Sequence, residues 1–424
     1  MSQYELIENN RERLTEIYGS SSKTLELQKN RYKKLIDKFE ENYSTQPTAL
    51  FSSPGRTEIC GNHTDHNNGK VMAASINLDT IAAVAKCKQK ISIRSKGYDV
   101  LFEVNLNSLE KNDEEEGTTT ALIRGICAQF RSLGYKIGGF QAYFSSLVGV
   151  GSGLSSSASV EVLIGTILNY LYNDGNIADV TIAQIGQYAE NQYFGKPCGL
   201  MDQLSISVGG VLEIDFKNNN SPEIDESRFD KEKAGFDIVI VDTGGNHADL
   251  TEDYASIPEE MKTVAGEFGK ELCRELKLKE LLSKIRILRE KISDRALLRC
   301  LHFLNENIRV DELAEAINKN DYNRFLDIIR ESGNSSFKYL QNCYTTKAPD
   351  DQGISLALAL TDNFINNNNC RGACRVHGGG FAGTIQSFIE EKYTDKYIAY
   401  IEKIFGRNSA TKINIRKYGS IKVV

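Results

Sequence analysis

A run of glycines and serines that passes straight into an apolar helix limits most sharply what this chain can fold into. Gly149–Ser159 reads GVGSGLSSSAS and leads directly into VEVLIGTILNYLY. Three glycines let backbone amides approach a ligand closely, and the helix start adds unpaired N–H groups at the positive end of the dipole. The pattern describes a phosphate cradle. It is not the GxxxxGK[ST] loop, since no lysine follows the last glycine, and it lacks the spacing of a dinucleotide fingerprint. One serine would suffice to cap the helix, so three in succession favour the phosphate reading over a plain cap.

At 424 residues the chain exceeds one comfortable core and predicts two or three domains. A net charge of −6 offers no broad basic field for nucleic acid, so any phosphate must be held locally. The first residues, MSQYELIENNRERL, form no apolar signal region, and no stretch approaches the roughly 18 apolar residues of a membrane span. A cytoplasmic protein with no membrane partner is the expectation. The nine cysteines are scattered without a CxxC framework and read as reduced thiols. Cys370 and Cys374 lack a second ligand pair, so buried thiols are favoured over a metal site.

Residues 4–43 place Leu25, Tyr32, Leu35, Ile36 and Phe39 at near-helical spacing among charges, which predicts two amphipathic helices packed on the main body. From about Thr48 the texture turns strand-like, in ALFSSPGRTEI, VMAASINLDTIAAVAK and ISIRS. Asp113–Glu116 reads as a solvated loop or the start of the helix TTTALIRGICAQFRSLG. Helices are predicted over Ser157–Tyr172, Thr181–Phe194 and most of 258–331, and strands over ISVGGVLEIDF, FDIVIVDT, TIQSFI and TKINIRKY. The polar Asn218–Ser221, followed by Pro222, marks the boundary between lobes. The fold class is therefore α+β: an extension over 1–47, a lobe over 48–217, a lobe over 218–424, and a cleft between the lobes.

Three further segments carry chemistry. Pro54–Gly69, PGRTEICGNHTDHNNG, gathers Arg56, Asn62, His63, Asp65 and His66 on a turn-rich backbone, a mixed donor and acceptor set suited to a polyol. A capped surface turn is the plainer reading of the same residues. In GKPCGLMDQLSISVGG, residues 195–210, Asp202 sits among Leu200, Met201 and Leu204, where a carboxylate is costly unless partnered. Arg375–Thr384, RVHGGGFAGT, spends backbone entropy on three glycines, which implies close approach by a ligand, with a triphosphate as the candidate.

Together and in order, these segments resemble the galactokinase branch of the GHMP kinases, the superfamily of galactose, homoserine, mevalonate and phosphomevalonate kinases. Gly55–Asn67 matches the sugar motif GRxNLxGEHTDYN and Gly151–Ala158 the phosphate loop GxGLSSSA. Cys198–Gln203 matches CGxMDQ, and Gly378–Gly383 matches GGGFGG. Weaker likeness runs through AENQYFG, 189–195, and RCLHFLNEN, 299–307. The likeness covers residue 48 to the end and implies a two-lobed GHMP-kinase-like fold, with the N-terminal helices as an extension outside the motifs. It implies a sugar 1-kinase moving the ATP γ-phosphoryl group to the anomeric hydroxyl of galactose. Asp202 falls on the catalytic aspartate and Arg56 on the transition-state arginine. Ser157 and Glu190 fall on the Mg2+ ligands. The ATP loop spans Gly151, Ser152, Gly153, Leu154, Ser155, Ser156 and Ser157, with Gly378, Gly379 and Gly380 as a phosphate-side loop. Sugar contacts are implied for Asn62, His63, Asp65, Gly199 and Tyr254. An arginine beside Asp202 suits alignment of the hydroxyl better than strong basicity.

Departures from the motif bear on the sugar. The glutamate before His-Thr-Asp is Asn62 here, and the tyrosine after it is His66. In the family that glutamate faces the C6 hydroxyl. Two like charges 4 Å apart cost about 4 kcal/mol at an effective dielectric of 20, so losing one opens a reading with a C6 carboxylate, as in galacturonate. Arabinose, which lacks C6, is a further alternative. Beyond Tyr254 the usual arginines are absent, His377 and Ala382 vary the glycine loop, and Gly149 replaces a proline at the entrance of the phosphate loop. A non-catalytic galactose sensor on the same fold is disfavoured by the complete Ser155–Ala158 run. A mevalonate or homoserine kinase is disfavoured by the HTDH segment, because those substrates have no ring of adjacent hydroxyls.

Overall fold

The computed structural model describes residues 3–149, 153–218, 220–245 and 250–424. Its strands are β1 (Ala49–Cys60), β2 (Lys70–Cys87), β3 (Lys90–Ser95), β4 (Phe102–Asn105), β5 (Gly139–Ser146) and β6 (Val211–Asp215). Then follow β7 (Glu223–Ser227), β8 (Phe236–Asp242), β9 (Gly372–His377), β10 (Thr384–Glu390), β11 (Ala410–Ile413) and β12 (Ile421–Lys422). They form two sheets. The larger has the order β12-β1-β2-β5-β3-β4, with β6 on β2 and β7 on β6; the smaller has the order β11-β8-β10-β9. Among the described residues, only β3 and β5 pair in parallel.

β2 holds the larger sheet together. One edge pairs with β1, while the other is shared, Lys70–Ala74 with β6 and Thr80–Cys87 with β5. β1 is buried along its whole length because both faces are covered. Alternate side chains divide between them. Ala49, Phe51, Ala82 and Val84 join a core with the helices Thr119–Ser132, Ser156–Tyr172 and Asp179–Ala189. Leu50, Ile81, Ala83 and Ala85 join Tyr32, Leu35, Ile36 and Phe39 of the helix Ser22–Tyr43.

The N-terminal extension forms three helices rather than two, Gln3–Asn9, Arg11–Tyr18 and Ser22–Tyr43. Asn10 caps the second by accepting from the Arg13 amide at 3.3 Å, and Gly19, at φ 87°, ends it. This extension is pinned by a buried ionic cluster. Asp79 on β2 accepts from Arg31, from Ser52, from the Tyr18 hydroxyl at 2.6 Å and from Arg416 at 3.4 Å. Arg31 also donates to the carbonyls of Asp79 at 2.7 Å and Ser145 at 2.9 Å.

The smaller sheet packs the helix Tyr322–Ser335 on one face and Gly353–Asn367 with Thr394–Phe405 on the other. Both β7 and β12 lie beyond residue 217 yet pair into the larger sheet, since β6 and β7 form a hairpin and the tail returns alongside β1. The acidic run makes an exposed single turn, Asp113–Glu115, separate from the helix that Thr118 caps. No helix among the described residues is long and apolar enough to cross a membrane. All nine cysteines are free, Cys370 and Cys374 are buried, and no group of metal-binding side chains forms among the described residues.

Candidate active site

The phosphate loop, β1 and the helix Met201–Val208 meet at one ion pair. Arg56 donates from Nε to Asp202 Oδ1 at 2.6 Å and from NH2 to Oδ2 at 2.8 Å. Its third nitrogen donates to the Gly153 carbonyl, and its backbone amide to the Leu154 carbonyl at 3.2 Å. The Ser155 hydroxyl donates to Asp202 rather than capping its own helix, which starts at Ser156 with Ser155 in the left-handed region. Ser156 and Ser157 occupy the first helical turn. Gly153, Leu154, Ser155, Arg56 and Asp202 thus come together in one place. Gly151 and Ser152 lie outside the described residues. A side chain at Gly55 would press on the Leu154 carbonyl at 2.8 Å, so this glycine lets β1 and the loop touch.

The segment after β1 is held from below by residues far away in sequence. Asn62 is fully buried. Its amide nitrogen donates to Glu58 at 3.0 Å and to the Gly378 carbonyl at 2.7 Å, while its oxygen accepts from Asn342 at 2.7 Å. This amide, expected to contact the sugar, gives these hydrogen bonds to groups of the protein itself. Glu58 pairs with Arg375 at 2.6 Å, and Arg375 also donates to the Glu58 and Ile59 carbonyls. Burial pushes the Glu58 carboxyl up from its usual range, and the adjoining guanidinium opposes this. Measured against the family motif, carboxylate and amide have exchanged places between positions 58 and 62.

The glycine run, expected on the phosphate side, directs its carbonyls to three residues expected to contact the sugar. Asn62 takes that of Gly378, His63 that of Gly379 at 2.8 Å, and the Tyr254 hydroxyl that of Gly380 at 3.1 Å. Gly378 and Gly380 have φ of 67° and 76°, a region that penalises side chains. His63 stacks on Tyr254 with centroids 6.2 Å apart. Burial, then the neighbouring His66, lowers the His63 imidazole to about 3, so it is neutral and donates from Nε2. Burial pushes the Tyr254 phenol up to about 12.

Asp65 starts a short turn, Asp65–Asn67, and accepts from the His66 amide at 2.9 Å. Gly199 presses against it so closely that a Cβ there would overlap the carboxylate. Behind this wall, the helix Asp294–Asn318 presents Arg299, His302 and Glu306, all buried. Arg299 donates to Ser256 and Glu260 of the Tyr254 helix at 2.9 Å each, and His302 to the Asn62 carbonyl at 2.9 Å. Glu306 accepts from the Gly61 amide at 3.1 Å. His302 and Glu306 hold the segment after β1 and Arg299 holds the helix that carries Tyr254, and the spacing of the three within RCLHFLNEN was the signal available for them.

Glu190 begins a π-helical turn, Glu190–Phe194, a local widening frequent at functional sites. Lys196 lies 3.4 Å from Glu190 Oε1, and the Gln203 amide bridges Glu190 Oε2 and Glu161 Oε2 at 3.0 Å each. Burial, then the charges of Glu190 and Asp202, push the Glu161 carboxyl well above the usual range. Glu161 and Lys196 escaped the sequence reading; Glu161 follows Ser157 by one helical turn, the spacing that places both on one side.

Residues 37–86 match the galactokinase galactose-binding signature, and residues 121–210 match the N-terminal domain of GHMP kinases. The galactokinase of Clostridium acetobutylicum is 31% identical over 393 residues, covering 90% of this chain and 96% of that protein. The human galactokinase is 29% identical, covering 87% of this chain and 90% of that one. Among solved structures, Lactococcus lactis galactokinase complexed with galactose superposes with a TM-score of 0.78 at 22% identity, covering 92% of this chain and 99% of that one. The mevalonate kinase of Methanococcus jannaschii superposes with a TM-score of 0.61 at 17% identity, over 86% and 98%. With that identity sustained across nearly the full length of both chains, and with a GHMP-kinase fold beneath it, the chain belongs to the galactokinase family.

Proposed function

We infer that this protein transfers the γ-phosphoryl group of ATP to the anomeric hydroxyl of galactose, giving galactose 1-phosphate and ADP. The observation that carries this reading is the paired Arg56–Asp202 contact, which joins the end of the sugar segment to the phosphate loop through Gly153 and Ser155. Phosphoryl transfer asks chiefly for positioning and neutralisation of charge. Arg56 supplies a fixed positive charge where the transferring group passes between loop and sugar. Asp202 aligns the hydroxyl: both its oxygens already hold donors, and a carboxylate has room for a further one. Asp65, braced by Gly199, offers its oxygens to adjacent ring hydroxyls. Tyr254 and His63 form the wall beside them. The loop Gly151–Ser157 holds the phosphate chain.

Mg2+ fits the donor set beside that loop. Glu161 Oε1 and Gln203 Oε1 are buried oxygens without a hydrogen-bond partner among the described residues, next to the Glu190 carboxylate. Ser157 and Glu190 would hold the ion, which supplies charge neutralisation on the phosphates. The cytoplasm suits free ATP and reduced cysteines.

Galactose leads over galacturonate because the carboxylate that Asn62 lacks is provided by Glu58, already paired with Arg375. A further acid at C6 would meet that pair across a buried amide. Turnover of galactose, galacturonate, arabinose and glucose with ATP by the purified protein tests the reading. Phosphorylation of galactose at the anomeric position is expected; a protein that ignores galactose and turns over another sugar in the set would replace it.

A further inference from the structure

The surroundings of Glu190 contain more oxygen than a Ser157–Glu190 cation site uses. Glu161 and Glu190 are both almost fully buried; Lys196 lies 3.4 Å from Glu190 Oε1, while Glu161 has no ion pair among the described residues. What joins them is one neutral group, the Gln203 amide, whose two hydrogens go to the two carboxyl groups. Gln203 follows Asp202 directly and is itself fully buried. A side-chain amide has an oxygen and a nitrogen end, and its last torsion is soft. Turned over, it would present oxygen to the Glu190 oxygen and repel it. Glu161 prevents this: its Oε2 accepts one hydrogen and fixes the nitrogen end toward both acids. The helix carrying Glu161 also carries Ser157, so this bridge ties the two halves of the cation site.

We propose that Glu161 is a positioning residue which, through Gln203, sets the direction of the Glu190 carboxylate toward the divalent cation of the nucleotide. The proposal rests on Glu190 being a cation ligand. Outer partners of this kind govern metal affinity rather than substrate affinity, and their loss weakens the metal about 10- to 100-fold.

The test uses the full chain with a non-hydrolysable ATP analogue, titrated with Mn2+ and followed by the electron paramagnetic resonance of free Mn2+, with galactose binding measured by calorimetry. Glu161→Leu and Gln203→Met are expected to raise the Mn2+ dissociation constant about tenfold or more, and that of galactose by less than about twofold. Glu161→Gln, which keeps the accepting oxygen, stays within about threefold of the parent. Should Glu161→Leu fail to fold, Gln203→Met reads the same bridge. Unchanged Mn2+ affinity in Gln203→Met, or equal weakening of Mn2+ and galactose, overturns the positioning role. Glu190→Gln separates the two levels. If it leaves Mn2+ affinity intact, the ligand assignment itself fails; if it alone weakens Mn2+, only the role of Glu161 fails.

Discussion

Arg56 and Asp202 are joined by two parallel hydrogen bonds, 2.6 and 2.8 Å long, so that the two groups assigned to the reaction hold each other before any substrate arrives. A planar guanidinium meeting a carboxylate in this way fixes direction as well as distance. Asp202→Asn should therefore lower kcat by about 10^2- to 10^4-fold while galactose affinity, measured by calorimetry, changes little. Near-normal turnover in that variant would remove Asp202 from the reaction.

Lysine cannot reproduce the fork at position 56. Arg56→Lys keeps the charge but loses simultaneous contact with Asp202 and the Gly153 carbonyl. The expected outcome is a rise in the KM for ATP together with a fall in kcat of about 10^2-fold, seen in steady-state kinetics. A variant with wild-type constants would show that charge alone suffices.

The exchanged pair at 58 and 62 makes a prediction through its non-additivity. Asn62→Glu places a second carboxylate against Glu58 and should cost about 4 kcal/mol. Glu58→Asn strips Arg375 of its partner in a fully buried setting and should cost about 3–5 kcal/mol. The double variant restores one acid and one amide and should recover most of the loss, which urea unfolding would reveal as a large coupling energy. Additive losses would mean the two positions are independent.

The pair also shows where sequence reasoning stopped. Arg56, Asp202 and the serine run were legible because each lies within a short motif whose chemistry is local. Asn62 was visible as a departure, but its partners Asn342, Gly378 and His302 come from segments some hundreds of residues away, and only the fold brings them under it. The glycine run was recognised as a close-approach element, yet the direction of its carbonyls depends on Tyr254 and His63 arriving from other elements. In the fold, the long apolar strands were legible. β7, with the mostly exposed pattern EIDES, and the two-residue β12 carry too little periodicity to be seen.

Asp79 lies at 0% exposure with Arg31 as its partner from the N-terminal extension. Arg31→Met leaves the carboxylate with Arg416 at 3.4 Å and should destabilise the protein by about 3 kcal/mol, read by urea denaturation. A loss within experimental error would mean that Arg416, Ser52 and Tyr18 satisfy Asp79 unaided.

Three buried histidines predict how the protein responds to acid. His63, His302 and His377 each occupy sites where burial lowers the imidazole pKa, His63 to about 3, with Arg56 and Arg375 adding to the effect at His377. In the unfolded chain each returns to about 6.5. Below that value the unfolded state takes up protons that the folded state refuses, so stability falls as pH falls. The loss begins near pH 6.5 and, for His63, continues to about 3. Each such group adds about 1.4 kcal/mol per pH unit to the slope. The unfolding midpoint should therefore drop steeply between pH 6.5 and 5, before most carboxylates titrate. His377 bonds Thr57 at 2.9 Å and Thr384 at 3.2 Å, and His377→Gln keeps a donor and an acceptor there. That variant should be less stable at pH 7.5 but lose less on acidification, with a shallower slope, as one of the titrating groups is gone. A midpoint that stays level down to pH 5 in the parent protein would show that these imidazoles accept protons in the folded state.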